Sequence, residues 1–258
     1  METNDLIEVM APALVAGLMI ASVHAPLGLE VLARGIVFID LAIAQIAALS
    51  VVLAYYWIHE PSWWAVQVAA GLSAVCAALL FRCVERRLPG EQEAIIGSSF
   101  IIAASVMLLV LVDSPHGSEK VQHILAGQIL FVRWPVIFSF APILLVALVL
   151  WFRFPTVQRG LLFFMLFAVV VTASVQLVGV YVVFASLILP ALATNTMRSH
   201  KAVGAIAASV FAVLLGISAS TLADLPAGPS LVLAYALTAV AIRFGLQLSG
   251  SSLANPNA

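Results

Sequence analysis

Long apolar runs, separated by short polar clusters, recur along this chain from one end to the other. Stretches almost free of charge cover roughly 8–33, 36–58, 62–81, 94–112, 135–152, 160–177, 178–197, 202–223 and 226–245. About 20 largely apolar residues are needed to carry a helix across the hydrocarbon core of a bilayer, so each run reads as a membrane-crossing helix. Gly160 to Met197 holds no charge at all and is too long for one crossing. A break near Gln176–Gly179 divides it into two helices. The pattern predicts an all-α, polytopic transmembrane helical bundle of about nine spans, forming a single transmembrane domain over residues 1–258.

The polar clusters between the runs alternate in sign. Arg34, Arg82, Arg86, Arg87, Arg153, Arg159, Arg198, Lys201 and Arg243 fall at every second boundary. Glu2, Asp5, Glu60, Asp113, Glu119 and Asp224 fall at the others, where Lys120 and Arg133 are the basic exceptions. Cytoplasmic loops are enriched in Lys and Arg, so this alternation predicts an N-terminus outside and a C-terminus in the cytoplasm. The acidic start METNDLIEV has no basic segment and no cleavage site, so the first span is expected to stay in place.

Composition then narrows the class. At 64% hydrophobic and 9% charged residues, the chain has far more apolar surface than a soluble domain could bury. A net charge of −1, with few and scattered basic residues, excludes nucleic acid as a partner. Cys76 and Cys83 lie seven residues apart on one helix, about 10 Å along its axis, and cannot pair without unfolding it. Ala44 and Ala48, and Ala70, Ala74 and Ala78, form small-residue stripes of the kind that let helices pack closely in lipid. There is no catalytic signature. Gly97-Ser98-Ser99 lacks the second glycine of a nucleophile elbow. The phosphate-binding G-x-x-x-x-G-K-[ST] loop is absent, so any ATP is handled by another chain.

Candidate chemistry lies in three places. The first span carries His24-Ala-Pro26-Leu-Gly28 and the seventh carries Pro190. Proline inside a membrane helix frees a carbonyl, and broken helices of this kind often line a solute path, although a plain kink accounts for either equally well. Asp40 is the one acid well inside an apolar run; it faces either a wet path or an ion pair with Arg34. Gln45 lies further along the same helix, on a different face. On the acidic side, Ser114 and Pro115 can start a helix that places His116, Glu119 and His123 on one face. Two imidazoles and a carboxylate suit zinc and its neighbours, and His59, Glu60 and Asp224 are secondary candidates; an ordinary solvated segment is the alternative.

Three blocks resemble the permeases of the zinc/manganese/iron ATP-binding-cassette importers. They are HAPLGLEVLARGIVFIDLAIAQIAAL at 24–49, QLVGVYVVFASLILPALAT at 176–194, and LPAGPSLVL at 225–233. Asp40, Pro190 and the Pro226–Pro229 turn match the family pattern. Gln45 stands where the family carries His, and Gln128 where it carries Asp. The resemblance implies a permease paired with a second copy of itself in the bacterial cytoplasmic membrane. It also implies a cytoplasmic ATP-binding subunit and an extracytoplasmic metal-binding protein, with no covalent cofactor.

The transported ion is then expected to be a divalent metal, with zinc favoured over manganese and iron. Its path passes His24, Pro26, Asp40, Gln45 and Pro190. The connection Arg153–Arg159 is too short for a docking helix, which leaves 83–93 and 196–201 as docking surfaces for an ATPase. That shortness keeps open a metal carrier or channel that works without an ATPase. A membrane metal sensor or scaffold is the remaining alternative.

Overall fold

A computed structural model of the chain describes residues 3–58, 60–111, 129–197 and 199–252. Among these residues every regular element is helical. The helices are α1 (Thr3–Arg34), α2 (Ile39–Trp57), α3 (Trp63–Arg87), α4 (Gln92–Val110), α5 (Trp134–Arg153), α6 (Gly160–Val178), α7 (Val180–Thr194), α8 (Lys201–Leu222) and α9 (Ala227–Ser252). Single 3₁₀ turns at Ile129–Phe131 and Pro155–Gln158 flank α5.

These nine helices follow the nine apolar runs closely. Eight of them are long and apolar enough to cross a membrane, which makes this a multi-pass membrane protein. The exception is α7. Its 15 residues extend only about 22 Å at 1.5 Å per residue, short of the hydrocarbon thickness. Most of its residues are buried inside the bundle, so it needs no lipid-matched length. The break that creates it is Gly179, whose φ of 81° lies in a region that favours glycine.

Two expectations from the sequence need correction. The apolar run of the third span ends near residue 81, whereas α3 continues through Cys83 to Arg87. The added turns carry Arg82, Glu85, Arg86 and Arg87, and Arg82 pairs with Glu85 one turn away on the helix surface. The prolines also do not break their helices: α1 runs through Pro26 and α7 through Pro190. Neighbouring helices enclose both residues, and in that setting the lost hydrogen bond is tolerated.

Sequence explains the rest of the arrangement. The small-residue stripes are buried where α2 meets α3, with Ser50 and Ser73 hydroxyls 3.0 Å apart beside them. Phe163, Phe164 and Phe167 of α6 fill the middle of the bundle, which α1, α6 and α7 form. Leu72, Ile101, Leu109, Phe138, Leu145 and Val240 point outward, as expected of a surface solvated by lipid tails. Tyr55, Tyr56, Trp57, Trp63 and Trp64 are exposed around the α2–α3 turn, a composition typical of the membrane–water interface. Cys76 and Cys83 are free and exposed on α3.

Candidate functional site

The turn between α1 and α2 sets the position of Asp40. Gly35, at φ 68°, closes α1 with a Schellman motif: its N–H bonds the Leu32 carbonyl, and the Ile36 N–H bonds that of Val31. Four residues later α2 has begun, with Asp40 in its first turn and 0% exposed. Its carboxyl meets no side-chain partner among the described residues, and the groups turned toward it are the backbone N–H of Asp40 itself and of Leu41 at the open start of the helix.

Arg34 does not supply one. Its guanidinium donates to Glu30 at 2.8 Å, to Glu85 at 3.1 Å and to the Gln158 carbonyl at 2.8 Å. It also lies over the Phe163 ring, 4.2 Å from the centroid. The ion pair between Arg34 and Asp40 that the sequence allowed is therefore not formed. Arg34 instead ties together α1, α3, the Pro155–Gln158 turn and α6.

A second acid lies at the same helix start. Glu93, in the first turn of α4, accepts a hydrogen bond from the Phe38 N–H at 3.2 Å. Its other oxygen is buried without a side-chain partner. Both acids thus serve the start of α2, Asp40 buried within its first turn and Glu93 half-exposed at the Phe38 N–H. Sequence inspection passed over Glu93 because it reads as an ordinary acid in the polar link CVERRLPGEQE.

Gln45 is 1% exposed and faces elsewhere. Its amide nitrogen donates to the Met107 sulfur at 3.6 Å, and its oxygen has no partner. It is the carboxamide in the wall of a cavity of about 400 Å³ between α2, α4, α7 and α9. Leu41, Phe100, Val180, Phe184 and Leu189 make most of the remaining wall apolar.

His24 holds three helices together. Its Nδ1 lies 2.7 Å from the Ser186 hydroxyl on α7 and its Nε2 lies 2.9 Å from the Ser174 hydroxyl on α6. Ser186 already donates its one proton to the Val183 carbonyl, so Nδ1 must donate and Nε2 must accept from Ser174. Both ring nitrogens are committed, which leaves neither for a metal. One turn on, Gly28 lets α1 touch α7 backbone to backbone. Replacing His24 with leucine strands the buried Ser174 hydroxyl and is expected to cost about 2–3 kcal/mol. Scanning fluorimetry of the purified protein should show a midpoint lower by several degrees; an unchanged midpoint would contradict this role.

The remaining candidates are dispersed. Glu60 and Asp224 are exposed in turns with positive φ. His59, His116, Glu119, His123 and Gln128 lie outside the described residues. Among the described residues, no group of three or more His, Cys, Asp or Glu side chains converges in a way that could hold a metal ion.

The sequence profile of the ABC 3 transport family matches residues 6–157 and 153–245, which together cover nearly the whole chain. The chain belongs to the ABC 3 transport family. It is accordingly a permease of the ATP-binding-cassette transporter class. Two solved structures share the fold of this ABC 3 permease. One is PsaBC from Streptococcus pneumoniae in complex with Fab, with a TM-score of 0.71 at 19% identity over 93% of this chain and 95% of that one. The other bears the description "an inward-facing conformation of a putative metal-chelate type ABC transporter". It also scores 0.71, at 14% identity over 93% of this chain and 87% of that one. No curated protein sequence matches the chain.

Proposed function

We propose that this permease carries a divalent transition metal, of the zinc, manganese and iron group, inward across the bacterial cytoplasmic membrane. The observation that carries the reading is Asp40, an acid sealed in the bundle with no side-chain partner among the described residues. A bare carboxylate in such a place is expensive, and a proton or a passing cation relieves it. The fold shared with a metal-chelate type transporter supports the same reading.

In this scheme the N-terminus lies outside, and two copies of the chain form the path. A metal-binding protein delivers the ion on the outer side, where His116, Glu119 and His123 receive it. A cytoplasmic ATP-binding subunit drives alternation from the other side. The turn Pro155–Gln158 is a single 3₁₀ turn held by Arg34, too small to dock an ATPase. The links at 88–91 and 195–200 serve better. The second of them adjoins Arg243, which donates to the Leu192 carbonyl at the end of α7.

Purification from native membranes should recover an ATP-binding subunit with the permease. Reconstitution of that complex in liposomes should then give ATP-dependent uptake of zinc, manganese or iron. No uptake of any divalent metal overturns the proposal. Uptake that ignores ATP would instead favour a free-running carrier, and binding without flux a sensor or scaffold.

A further inference from the structure

We infer that the cleft between α4 and α7 is a binding site for one acyl chain of a membrane lipid. The inference goes beyond metal passage and needs only that the helices span a bilayer.

Packing creates the cleft. α4 lies against α2 and α3, whereas α7 lies against α1, α8 and α9, so the two stand on opposite sides of a floor made by α2. Between them is the cavity of about 400 Å³. Its wall runs from Phe100 to Leu108 on α4 and from Val180 to Leu189 on α7. At 1.5 Å per residue those stretches are about 12–14 Å long, so the cavity averages about 6 Å across. A helix with its side chains measures about 10–12 Å and cannot enter. A single hydrocarbon chain can.

Chemistry selects the same occupant. Leu41, Phe100, Phe184 and Leu189 leave the wall apolar, and the Gln45 carboxamide is turned onto the Met107 sulfur. Water needs several polar partners to stay in such a place, so it is excluded. An empty cleft would forfeit the packing contacts its walls could make. Phe184 is braced by Phe38, whose ring stacks on it at 6.5 Å between centroids, so the wall is preformed. Leu108 and Tyr181, on either side of the mouth, are 56% and 50% exposed to the hydrocarbon around the bundle. The occupant comes from the bilayer itself. One tail reaches in sideways while its headgroup stays at the membrane surface, and it holds α4 apart from α7 as a wedge.

The intact transporter is embedded in nanodiscs of phosphatidylethanolamine and phosphatidylglycerol, part of the latter carrying a diazirine along one acyl chain. After illumination, adducts are mapped by peptide mass spectrometry. They are expected on Phe184 and Leu189, half-buried residues of the cavity wall, as well as on the lipid-facing Leu109 and Phe138. Ala104→Trp fills the cleft from α4 and is expected to abolish the first pair of adducts while the second pair persists. If Ala104→Trp does not fold, Ala104→Leu takes its place and is expected to lower the first pair selectively.

No adduct on Phe184 or Leu189 in the wild type, the result if a second copy of the chain seals the mouth, overturns the inference. Adducts there that neither variant changes overturn it as well, since they mark the ordinary lipid shell. Metal uptake tests the permease reading separately, so the two can fail independently.

Discussion

Replacing Gly28 with leucine is expected to leave no folded permease. A Cβ at this position would sit 1.9 Å from the Leu187 carbonyl oxygen and 2.8 Å from its carbon. Those are backbone atoms of α7, so no side chain can swing aside to make room. Overfilling a packed core costs about 1–3 kcal/mol where rotamers can adjust, and more where a backbone must move. Even Gly28→Ala is therefore expected to cost about 3 kcal/mol or more, by parting α1 from α7 beside the His24–Ser186 bond. Gly71→Ala and Gly97→Ala are the controls, because nothing lies within 4 Å of either added methyl. Those two helix-interior changes should be neutral or stabilising by about 0.5–1 kcal/mol. Fluorescence-detected size exclusion after a heat step should show the contrast. Survival of Gly28→Leu at wild-type levels would mean that α1 and α7 do not meet as described.

The second large effect is expected at Arg34. Replacement with methionine leaves the stem but removes the guanidinium that Glu30, Glu85 and the Gln158 carbonyl share. Arg34 and Glu85 side chains are only 16% and 21% exposed, so this is not an ordinary surface pair. Breaking a largely buried pair from one side costs about 3–5 kcal/mol, and partial solvent access brings that down to about 2–3 kcal/mol here. Lysine should recover only part of the loss. Its point charge cannot hold three acceptors in a planar fork or stack on Phe163. The thermal midpoint is the measurement, with methionine expected lowest, lysine between and wild type highest. Equal midpoints for all three would show that the hub contributes nothing.

Much of the fold was legible because a bilayer imposes a coarse rule on sequence. Apolar runs of about 20 residues must be helices, and those runs gave all nine α-helices among the described residues. Hydropathy could not show that α7 would be short and enclosed, since a core helix and a lipid-facing helix of Leu, Val and Ala look alike as text. Nor could it show where α3 stops, because the charged end Arg82–Arg87 continues as helix past the apolar run.

The site was less legible. Asp40 stood out as an acid in an apolar run, yet its surroundings depended on Arg34 and Glu93. The first turned to Glu30 and Glu85, and the second came from a helix 53 positions further along the chain. His24 beside a proline suggested part of a path, whereas its partners, Ser174 and Ser186, are separated from it by 150 and 162 residues. Single serines in apolar helices carry no signal that a distant imidazole needs them.

Whether a metal ion passes Asp40 is read from ATP-driven uptake into proteoliposomes. Wild type and Asp40→Asn are compared in the same reconstituted complex, with stability matched by thermal midpoint. Wild type is expected to accumulate divalent metal, and the asparagine variant, equal in shape but uncharged, to lose about tenfold or more of that rate. Equal uptake by the two proteins would contradict it.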